Sequence, residues 1–288
     1  MEMGYQLEQL LILFYGQHPM MYGFVFMFAI LFGSFANVVI DRWPRKDELD
    51  WSEDIKSFLS EKGHKSPYTY EPDGPVSLSA WSSCDHCHAP IRWWMNIPVL
   101  SWFLLRARSS CCKKPISCEY PLVELGYALI AVGLYHLHTD PLTLMMLLVS
   151  AFVLLVLAYI DAHHQYLPDV FVGVFACSGL ILSMYTDQSL VSLNDSILFA
   201  ALSYVILSSV RWLYSTLRGL DGLGLGDVKL ISAFCLWIPV TYILKTFLLA
   251  TILSLLAYGL TKKLKEPHPF GPSLIVAFTI CYFSVILG

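Results

Sequence analysis

Apolar blocks of roughly twenty residues recur along the chain, and they constrain its fold more than any other feature. A helix of about that length crosses the hydrocarbon core of a bilayer. Of the 288 residues, 56% are hydrophobic and 14% are charged, whereas a soluble domain carries about a quarter charged residues. The sequence therefore predicts an all-α polytopic membrane protein.

The apolar blocks predict about eight transmembrane helices. The predicted spans are residues 20–40, 121–137, 142–160, 169–186, 196–214, 228–240, 241–260 and 270–287. The sixth span is short, so we expect it to be tilted or to cross only part of the bilayer. Residues 1–19 are expected to form an N-terminal interfacial segment, and they lack the basic residues of a signal peptide.

The distribution of Lys and Arg predicts the orientation. Residues 41–120 hold eleven of the eighteen basic residues, and most of the others flank the loops after the fifth and seventh spans. Because cytoplasmic loops are enriched in Lys and Arg, we expect these loops inside and both termini outside. The cytoplasmic loop 41–120 would then precede a seven-span domain, residues 121–288.

The long loop has two parts of different composition. Residues 46–75 are acidic, and a solvated linker is the favoured interpretation; an acidic surface that attracts a basic segment of a substrate is the alternative. Residues 81–118 hold five of the eight cysteines. The tryptophans expected to give this part a small core are Trp81, Trp93, Trp94 and Trp102.

Two aspartates stand at the predicted cytoplasmic ends of spans. Asp161 closes the third span, and Asp227 opens the sixth after a glycine-rich stretch that contains Gly224 and Gly226. Taken singly, Asp161 merely ends a span and the glycines form a flexible connection. Taken together, they suit aspartic-protease chemistry, in which one protonated and one ionised carboxyl group activate a water. The glycines would let an extended substrate backbone approach.

Motifs along most of the chain resemble those of one family. Gly224-Leu225-Gly226-Asp227 is the Gly-x-Gly-Asp signature of intramembrane aspartic proteases. The other matching segments run from Gly33 to Pro44, Asn96 to Trp102, Tyr120 to Glu124 and Pro269 to Pro272. Their order resembles that of the type IV prepilin peptidases, also called prepilin leader peptidase/N-methyltransferases.

The resemblance implies a multi-pass enzyme of the bacterial inner membrane whose active site faces the cytoplasm. Such enzymes cut the short basic leader from type IV prepilins or type II secretion pseudopilins. Many then methylate the new N-terminus with S-adenosylmethionine. Asp161 and Asp227 match the catalytic pair, and Asp169 matches a structural position. Residues expected to support the site or the substrate are Gly224, Gly226, Lys229 and Glu124. The expected partners are these substrates and the lipid bilayer, not nucleic acid.

For Glu124, two interpretations remain open. It lies near the cytoplasmic end of the second span, where it would contact Asn37, Arg42 or a substrate amine. Alternatively, it is an ordinary acidic residue in the first turns of a helix, where the helix dipole favours negative charge.

The cysteines of the loop predict a structural zinc site. A cytoplasmic location disfavours disulfides, and Cys84-Asp85-His86-Cys87 has the Cys-x-x-Cys spacing of zinc ligands. The expected ligands are Cys84, Cys87 and Cys112, with Cys111 as the fourth and Cys118, His86 and His88 as alternatives. The competing interpretation is a site that has lost its metal and is held together by the tryptophans.

Two positions depart from the family pattern. Ser109 stands where the first cysteine of a second Cys-x-x-Cys is expected, and Ala107 stands where the family usually has glycine. If that glycine supplies an unusual backbone angle, alanine is strained there. Both positions lie in the loop linked to methyl transfer, so they bear on the methyltransferase more than on the peptidase.

Three other interpretations remain open. The chain would be another Gly-x-Gly-Asp protease of the preflagellin or presenilin type, a small transporter or metal-responsive membrane protein, or a non-catalytic assembly subunit. The cysteine-containing loop and the eight predicted spans favour the bacterial prepilin type. A transporter predicts acidic residues near mid-bilayer, whereas Asp161 and Asp227 lie at the predicted cytoplasmic edge.

Overall fold

The structure is a computed structural model, and it describes residues 19–64, 69–78, 81–84, 86–138, 140–185, 189–219, 222–261 and 269–287. These residues form α-helices, one 3₁₀ helix and two isolated β-bridges. The chain divides into an N-terminal unit, His18–Gly133, and a second unit that contains Leu134–Gly288. The interfacial segment expected at residues 1–19 lies outside the described residues, apart from Pro19.

The N-terminal unit contains two long helices joined by an irregular loop. Its helices are α1 (Pro19–Glu61), a 3₁₀ helix (Trp93–Asn96), α2 (Leu100–Leu104) and the first part of α3 (Glu119–Leu137). Helix α1 continues well beyond the predicted end of the first span at residue 40. Its 43 residues correspond to about 65 Å, roughly twice the thickness of the hydrocarbon core.

The polar half of α1 shows that the first part of the segment interpreted as a solvated linker, from residue 46, is helical. The helix runs through Pro44 to Glu61, so residues 46–61 are helical. The polar composition of residues 46–61 indicated that this segment is exposed to water. It did not indicate that the helix ends before it. This segment contains Glu, Lys and Leu, which favour helices, and it has no glycine or proline to break the backbone pattern.

Helices α1 and α3 approach each other closely at Gly33. A Cβ atom on this residue would lie 2.7 Å from the Cα of Glu124, so only glycine fits without movement of the α3 backbone. One turn further along α1, the Asn37 side-chain amide donates to the Tyr120 carbonyl at 3.1 Å. Small residues at such contacts are typical of helix packing in membranes. The motifs of the first and second predicted spans therefore pack against each other.

The second unit is a bundle of helices. Its helices are α4 (Pro141–His164), α5 (Asp169–Tyr185), α6 (Leu193–Arg218), α7 (Leu225–Phe234), α8 (Val240–Thr261) and α9 (Gly271–Leu287). An aromatic cluster forms much of its core: the rings of Phe234 and Phe278 stack with centroids 4.1 Å apart. The Trp237 indole donates to the Phe175 carbonyl at 3.0 Å, so the cluster also has a fixed polar contact.

Five described helices are long and apolar enough to cross a bilayer, and α5 and α9 are shorter apolar helices. These helices confirm the prediction of an all-helical polytopic membrane protein. The eight-span count and the orientation stay predictions. Helix α7 is short, as expected for the sixth span, but it ends at Phe234 instead of residue 240. Its ten residues correspond to about 15 Å, half the hydrocarbon core.

Candidate active site and cysteine cluster

Asp161 lies in the last turn of α4 and is only 6% exposed. Its Oδ2 accepts a hydrogen bond from the backbone N–H of Gly271, the first residue of α9, at 2.9 Å. A Cβ atom on Gly271 would lie 2.7 Å from the same oxygen. The sequence identified this glycine only as part of the motif Pro269–Pro272 and gave it no role. No signal in the sequence joins this glycine to Asp161, which lies 110 residues earlier.

Asp227 is the third residue of α7 and is partly buried. A Cβ atom on Gly224 would lie 2.9 Å from Asp227 Oδ2, and one on Gly226 would lie 3.0 Å from Leu167 Cβ. The sequence interpretation assigned these glycines to the approach of a substrate backbone. In the structure, they make room for Asp227 itself and for the loop between α4 and α5.

The structure brings Asp161 and Asp227 together from opposite ends of different helices. Their carboxyl groups are close enough for the charge of one to act on the other, and burial keeps Asp161 and part of Asp227 from water. Two such groups cannot both ionise without a large electrostatic cost, so one of them retains a proton. This arrangement can hold and activate a water molecule.

Two polar contacts hold the segments around Asp227. Lys229 Nζ lies 2.6 and 2.7 Å from the two carboxylate oxygens of Asp169, and this ion pair joins α7 to the start of α5. The carboxylate of Asp169, which matches a structural position of the family, thus bonds to a side chain 60 residues away. Arg211 Nε donates to the Leu223 carbonyl at 2.9 Å, which ties the loop before Gly224 to α6.

In the N-terminal unit, Glu124 is 7% exposed and is fixed by hydrogen bonds. Its Oε2 accepts a hydrogen bond from the Val99 N–H at 2.6 Å, and Ser34 and Asn37 lie close enough to interact with the carboxylate. The contact with Asn37 was one of the open interpretations. Arg42, another suggested partner, donates instead to the Ser77 carbonyl at 2.8 Å.

The backbone at Val99 is strained. Its φ of 59° and ψ of −51° place it in a γ-turn, which the Leu100 N–H closes by donating to the Pro98 carbonyl. A β-branched residue rarely adopts a positive φ, so the hydrogen bond to Glu124 helps to hold this turn. Beside it lies a cavity of about 560 Å³. Side chains that line the cavity include Ser34, Asn37, Asp41, Arg45, Trp102 and Glu124.

Four cysteines form a compact group in the loop. The Sγ atoms of Cys84, Cys87, Cys111 and Cys112 all lie within 4.8 Å of one another. The pair Cys84 and Cys112 is 3.8 Å apart, and the pair Cys87 and Cys111 is 3.2 Å apart. Zinc–sulfur bonds of about 2.3 Å in a tetrahedron put the sulfurs about 3.8 Å apart, so the group fits one zinc ion. Among the described residues, the alternatives Cys118, His86 and His88 are outside this group.

The cluster is built from two similar backbone turns. Cys84 donates its N–H to the Ala89 carbonyl at 2.9 Å, and Ser109 donates to the Lys114 carbonyl at 2.8 Å. Ser109 therefore occupies in the second turn the place that Cys84 has in the first. Its Oγ lies 2.8 Å from the Cys111 Sγ. Cys111, two residues further along the chain, thus places a thiol next to the position where the family has one and this chain has serine.

The surroundings of Cys84 favour its metal-binding form. Burial raises the pKa of this thiol, but hydrogen bonds with the Ser109 hydroxyl and with the His86 and Cys87 backbone outweigh burial, and the pKa falls to about 6. The thiolate is the form that binds metals. Cys84 is therefore suited to serve as a ligand near neutral pH.

Two of the four tryptophans expected to form a core are exposed, and Trp94 is half-buried. Trp81 and Trp93 are 89% and 79% exposed, so they do not form an interior. Trp102 is half-buried, and its indole N–H donates to the Ile116 carbonyl at 3.3 Å. Alanine was expected to be strained at position 107 if the backbone there has an unusual angle. The φ of Ala107 is +55°, which is the left-handed conformation that favours glycine.

Comparisons with known proteins agree with the motifs. Residues 27–138 match the family model described as the bacterial peptidase A24 N-terminal domain. Residues 147–260 match the model described as the type IV leader peptidase family. No solved structure matches the chain.

Several curated relatives are similar over most of their length. A protein of Dichelobacter nodosus is 35% identical over 264 residues, which is 91% of this chain and 91% of the relative. One of Aeromonas hydrophila is 33% identical over 276 residues, 93% of this chain and 92% of the relative. Both are named prepilin leader peptidase/N-methyltransferase. The resemblance inferred from the motifs is confirmed, and the chain belongs to the type IV leader peptidase family.

Proposed function

We propose that this chain is an aspartic endopeptidase that removes the short basic leader from type IV prepilins or type II secretion pseudopilins. The cut would be made at the cytoplasmic face of the bacterial inner membrane. Membership in the type IV leader peptidase family supports the reaction, and the apolar helices support the location. The N-terminal match to a bacterial domain favours this type over a preflagellin-type protease.

The observation that carries the proposal is the pairing of Asp161 with Asp227. Both lie at helix ends, and their carboxyl groups interact in an apolar environment. In the proposed reaction, the ionised carboxylate takes a proton from a water whose oxygen attacks the scissile carbonyl carbon. The other carboxyl group gives its proton to the carbonyl oxygen.

The resulting tetrahedral diol then collapses. A proton moves to the leaving nitrogen, the C–N bond breaks with its electron pair on nitrogen, and a carboxylic acid and an amine are released. The apolar surroundings limit access of bulk water and strengthen the interactions of both carboxyl groups with the developing charge.

Conversion of each aspartate to asparagine tests the proposal. The purified protein should remove the leader from a prepilin in detergent, and Asp161→Asn and Asp227→Asn should each reduce the rate by at least about 10³-fold. Asp195→Asn, which changes an exposed acid of the same unit, is the matched control and should cleave normally. Cleavage that survives in both variants would exclude the pair as the catalytic groups.

The acidic half of α1 offers a site for the basic leader. Glu53, Asp54 and Glu61 are exposed on this helix, and their negative charges would attract Lys and Arg of the substrate. Changing all three to lysine should raise KM several-fold at low salt and leave kcat unchanged. Equal KM values for the charge-reversed and unaltered proteins would exclude this segment as the leader-binding site.

The same chain would methylate the new N-terminus, as the names of its relatives suggest. The cavity beside Glu124 supports this second reaction because its volume of about 560 Å³ suits a ligand the size of S-adenosylmethionine. Glu124 would face a cationic part of this donor, and the ion pair of Asp41 and Arg45 lines the same cavity. When bound, the donor supplies a methyl group on a sulfonium sulfur.

Calorimetry tests the assignment of the cavity. S-adenosylmethionine should bind the unaltered protein and Asp227→Asn equally well, and Glu124→Gln at least about tenfold more weakly, since a charged contact is lost. Equal binding by all three proteins would place the donor site elsewhere.

The four clustered cysteines would hold a structural zinc ion. Cys84, Cys87, Cys111 and Cys112 supply the tetrahedral sulfur set, and no ligand position remains open for catalysis. The ion would cross-link two backbone turns that are otherwise joined by few contacts, so its role is to stabilise the loop.

A further inference from the structure

We infer that Gly271 is a positioning residue that makes Asp161 the ionised member of the aspartate pair, so that Asp227 carries the proton. The inference rests on the proposed peptidase function and assigns the two roles that this function leaves open. It comes from the contact between the first residue of α9 and the buried Asp161 carboxylate.

The Gly271 backbone N–H favours a negative charge on Asp161. It donates to Oδ2 at 2.9 Å in a site where Asp161 is 6% exposed. The contact lies at the N-terminus of α9, a 17-residue helix whose dipole is positive at this end. Asp161 itself lies in the last turn of α4, where that helix's own dipole opposes an anion. The donor from α9 therefore offsets an unfavourable position.

Asp227 has a weaker preference for charge. It lies in the first turn of α7, whose dipole also favours an anion. A direct hydrogen bond to a charged group outweighs the dipole of a helix end, and such a bond is found at Asp161. The nearby cation Lys229 is engaged by Asp169 at the start of α5.

The contact with Asp161 requires glycine. A Cβ atom at position 271 would lie 2.7 Å from Oδ2, 2.9 Å from Cγ and 3.2 Å from Cβ of Asp161. Any side chain would displace the carboxylate or the start of α9. The glycine thus sets both the position and the hydrogen bond of the acid.

The assignment fixes the direction of proton movement in the first step. Asp161 accepts a proton from the attacking water, and the water oxygen forms the new C–O bond. Asp227 donates its proton to the carbonyl oxygen as the electron pair of the π bond moves there. The pair begins and ends this step with one proton in total, now on Asp161.

The substitution Gly271→Ala tests the inference. We expect kcat for leader removal to fall about a hundredfold, because a displacement near 1 Å costs about that much, with KM unchanged. The acidic limb of the pH–rate profile, which reports the base, should move to higher pH. The alkaline limb, which reports the acid, should stay in place.

The charged groups around Asp161 allow this interpretation of the profile. Among the described residues, Asp227 on α7 is the charged group that interacts with Asp161, Lys229 and Asp169 pair with each other, and His163 and His164 on α4 are exposed. The first two turns of α9 carry no titratable side chain. The substitution therefore introduces no new charge.

Two other glycines of the same unit serve as controls. Gly173→Ala meets nothing within 4 Å and should leave kcat and both limbs unchanged. Gly179→Ala meets the Trp237 indole at 2.7 Å, so it should lower the thermal midpoint without moving either limb. The second control separates loss of packing from loss of the hydrogen bond to Asp161.

The outcomes distinguish this inference from the proposed function. If the unaltered protein cleaves and both asparagine variants do not, a Gly271→Ala variant with unchanged kcat and profile would overturn the inference alone. A shift confined to the alkaline limb would also overturn it, since the roles would be reversed. Absence of cleavage by the unaltered protein would overturn the peptidase function and the inference with it.

Discussion

The two units of the chain fix their functional side chains by different means. In the second unit, Asp161 and Asp227 lie at helix ends, close to glycines that permit tight contacts. In the N-terminal unit, Glu124 and the cysteines are fixed by loops with positive φ angles at Val99 and Ala107. One unit depends on helix packing, whereas the other depends on a few polar cross-links between irregular segments.

This difference explains where the chain departs from its family. Ser109 and Ala107 both lie in the loop of the N-terminal unit, where the Cys111 thiol lies next to Ser109 and the loop tolerates the strained φ of Ala107. A comparable change at Gly224 or Gly271 would push a side chain into a carboxylate. A loop that is held by cross-links can accommodate a substitution by a local change of structure, whereas a tightly packed helix end cannot.

The largest expected effect is on the cysteine cluster. Cys111→Ser should reduce bound zinc from one ion per chain to nearly none and should destabilise the N-terminal unit by several kcal/mol, because zinc contributes about 10–16 kcal/mol to the folding of small metal-bound peptides. Elemental analysis measures the zinc, and thermal denaturation measures the stability.

The pair of changes Ser109→Cys and Cys111→Ser should restore zinc, because it returns the thiol to the position that matches Cys84. Cys118→Ser, outside the cluster, should keep full zinc content. Zinc retained in full by the single Cys111→Ser variant would show that Cys111 is not a required ligand, and the cross-link by which the N-terminal unit differs from the second unit would lose its support.

A smaller effect is expected where the N-terminal unit does use helix packing. Gly33→Ala places a Cβ atom 2.7 Å from the α3 backbone at Glu124, which should cost about 1–3 kcal/mol of stability. Gly23→Ala, in the same helix with nothing within 4 Å, is the matched control and should not destabilise the protein. Equal thermal midpoints for the two variants would contradict a close contact between α1 and α3.

The sequence was sufficient to predict what depends on local pattern. Apolar runs predicted the helical bundle, and the ordered motifs predicted the family. The catalytic pairing of Asp227 with Asp161 stays a prediction. The extension of α1 to Glu61 was missed because polar helix formers look like a linker. The contact of Gly271 with Asp161 was missed because it joins residues 110 positions apart.

The prediction of the fourth zinc ligand was limited in the same way, because the sequence does not show which side chains lie together. Cys111 was one of several alternatives for the fourth ligand, because spacing alone does not distinguish thiols and imidazoles that lie a few residues apart. The structure places the Cys111 Sγ within 4.8 Å of the other three Sγ atoms, and this grouping singles it out. The tryptophans were wrongly assigned to a core because composition does not report which face of a small loop is exposed.

The smallest expected effect is at Ala107. Its left-handed backbone costs about 1–2 kcal/mol, so Ala107→Gly should raise stability by roughly 0.5–1 kcal/mol after the added entropy of the unfolded chain. Ala201→Gly, in the interior of α6, should have the opposite sign and lower stability by about 1 kcal/mol. Chemical denaturation in detergent measures both. A loss of stability in Ala107→Gly would show that the backbone at Ala107 is not strained.

The central claim is that the two units carry separate reactions, cleavage at Asp161 and Asp227 and methyl transfer beside Glu124. The most direct test measures leader removal from a prepilin and labelled methyl transfer to a precleaved pilin with the same preparations of Asp227→Asn and Glu124→Gln. We predict that Asp227→Asn loses only cleavage and that Glu124→Gln loses only methyl transfer. Loss of both activities in each folded variant would contradict the claim.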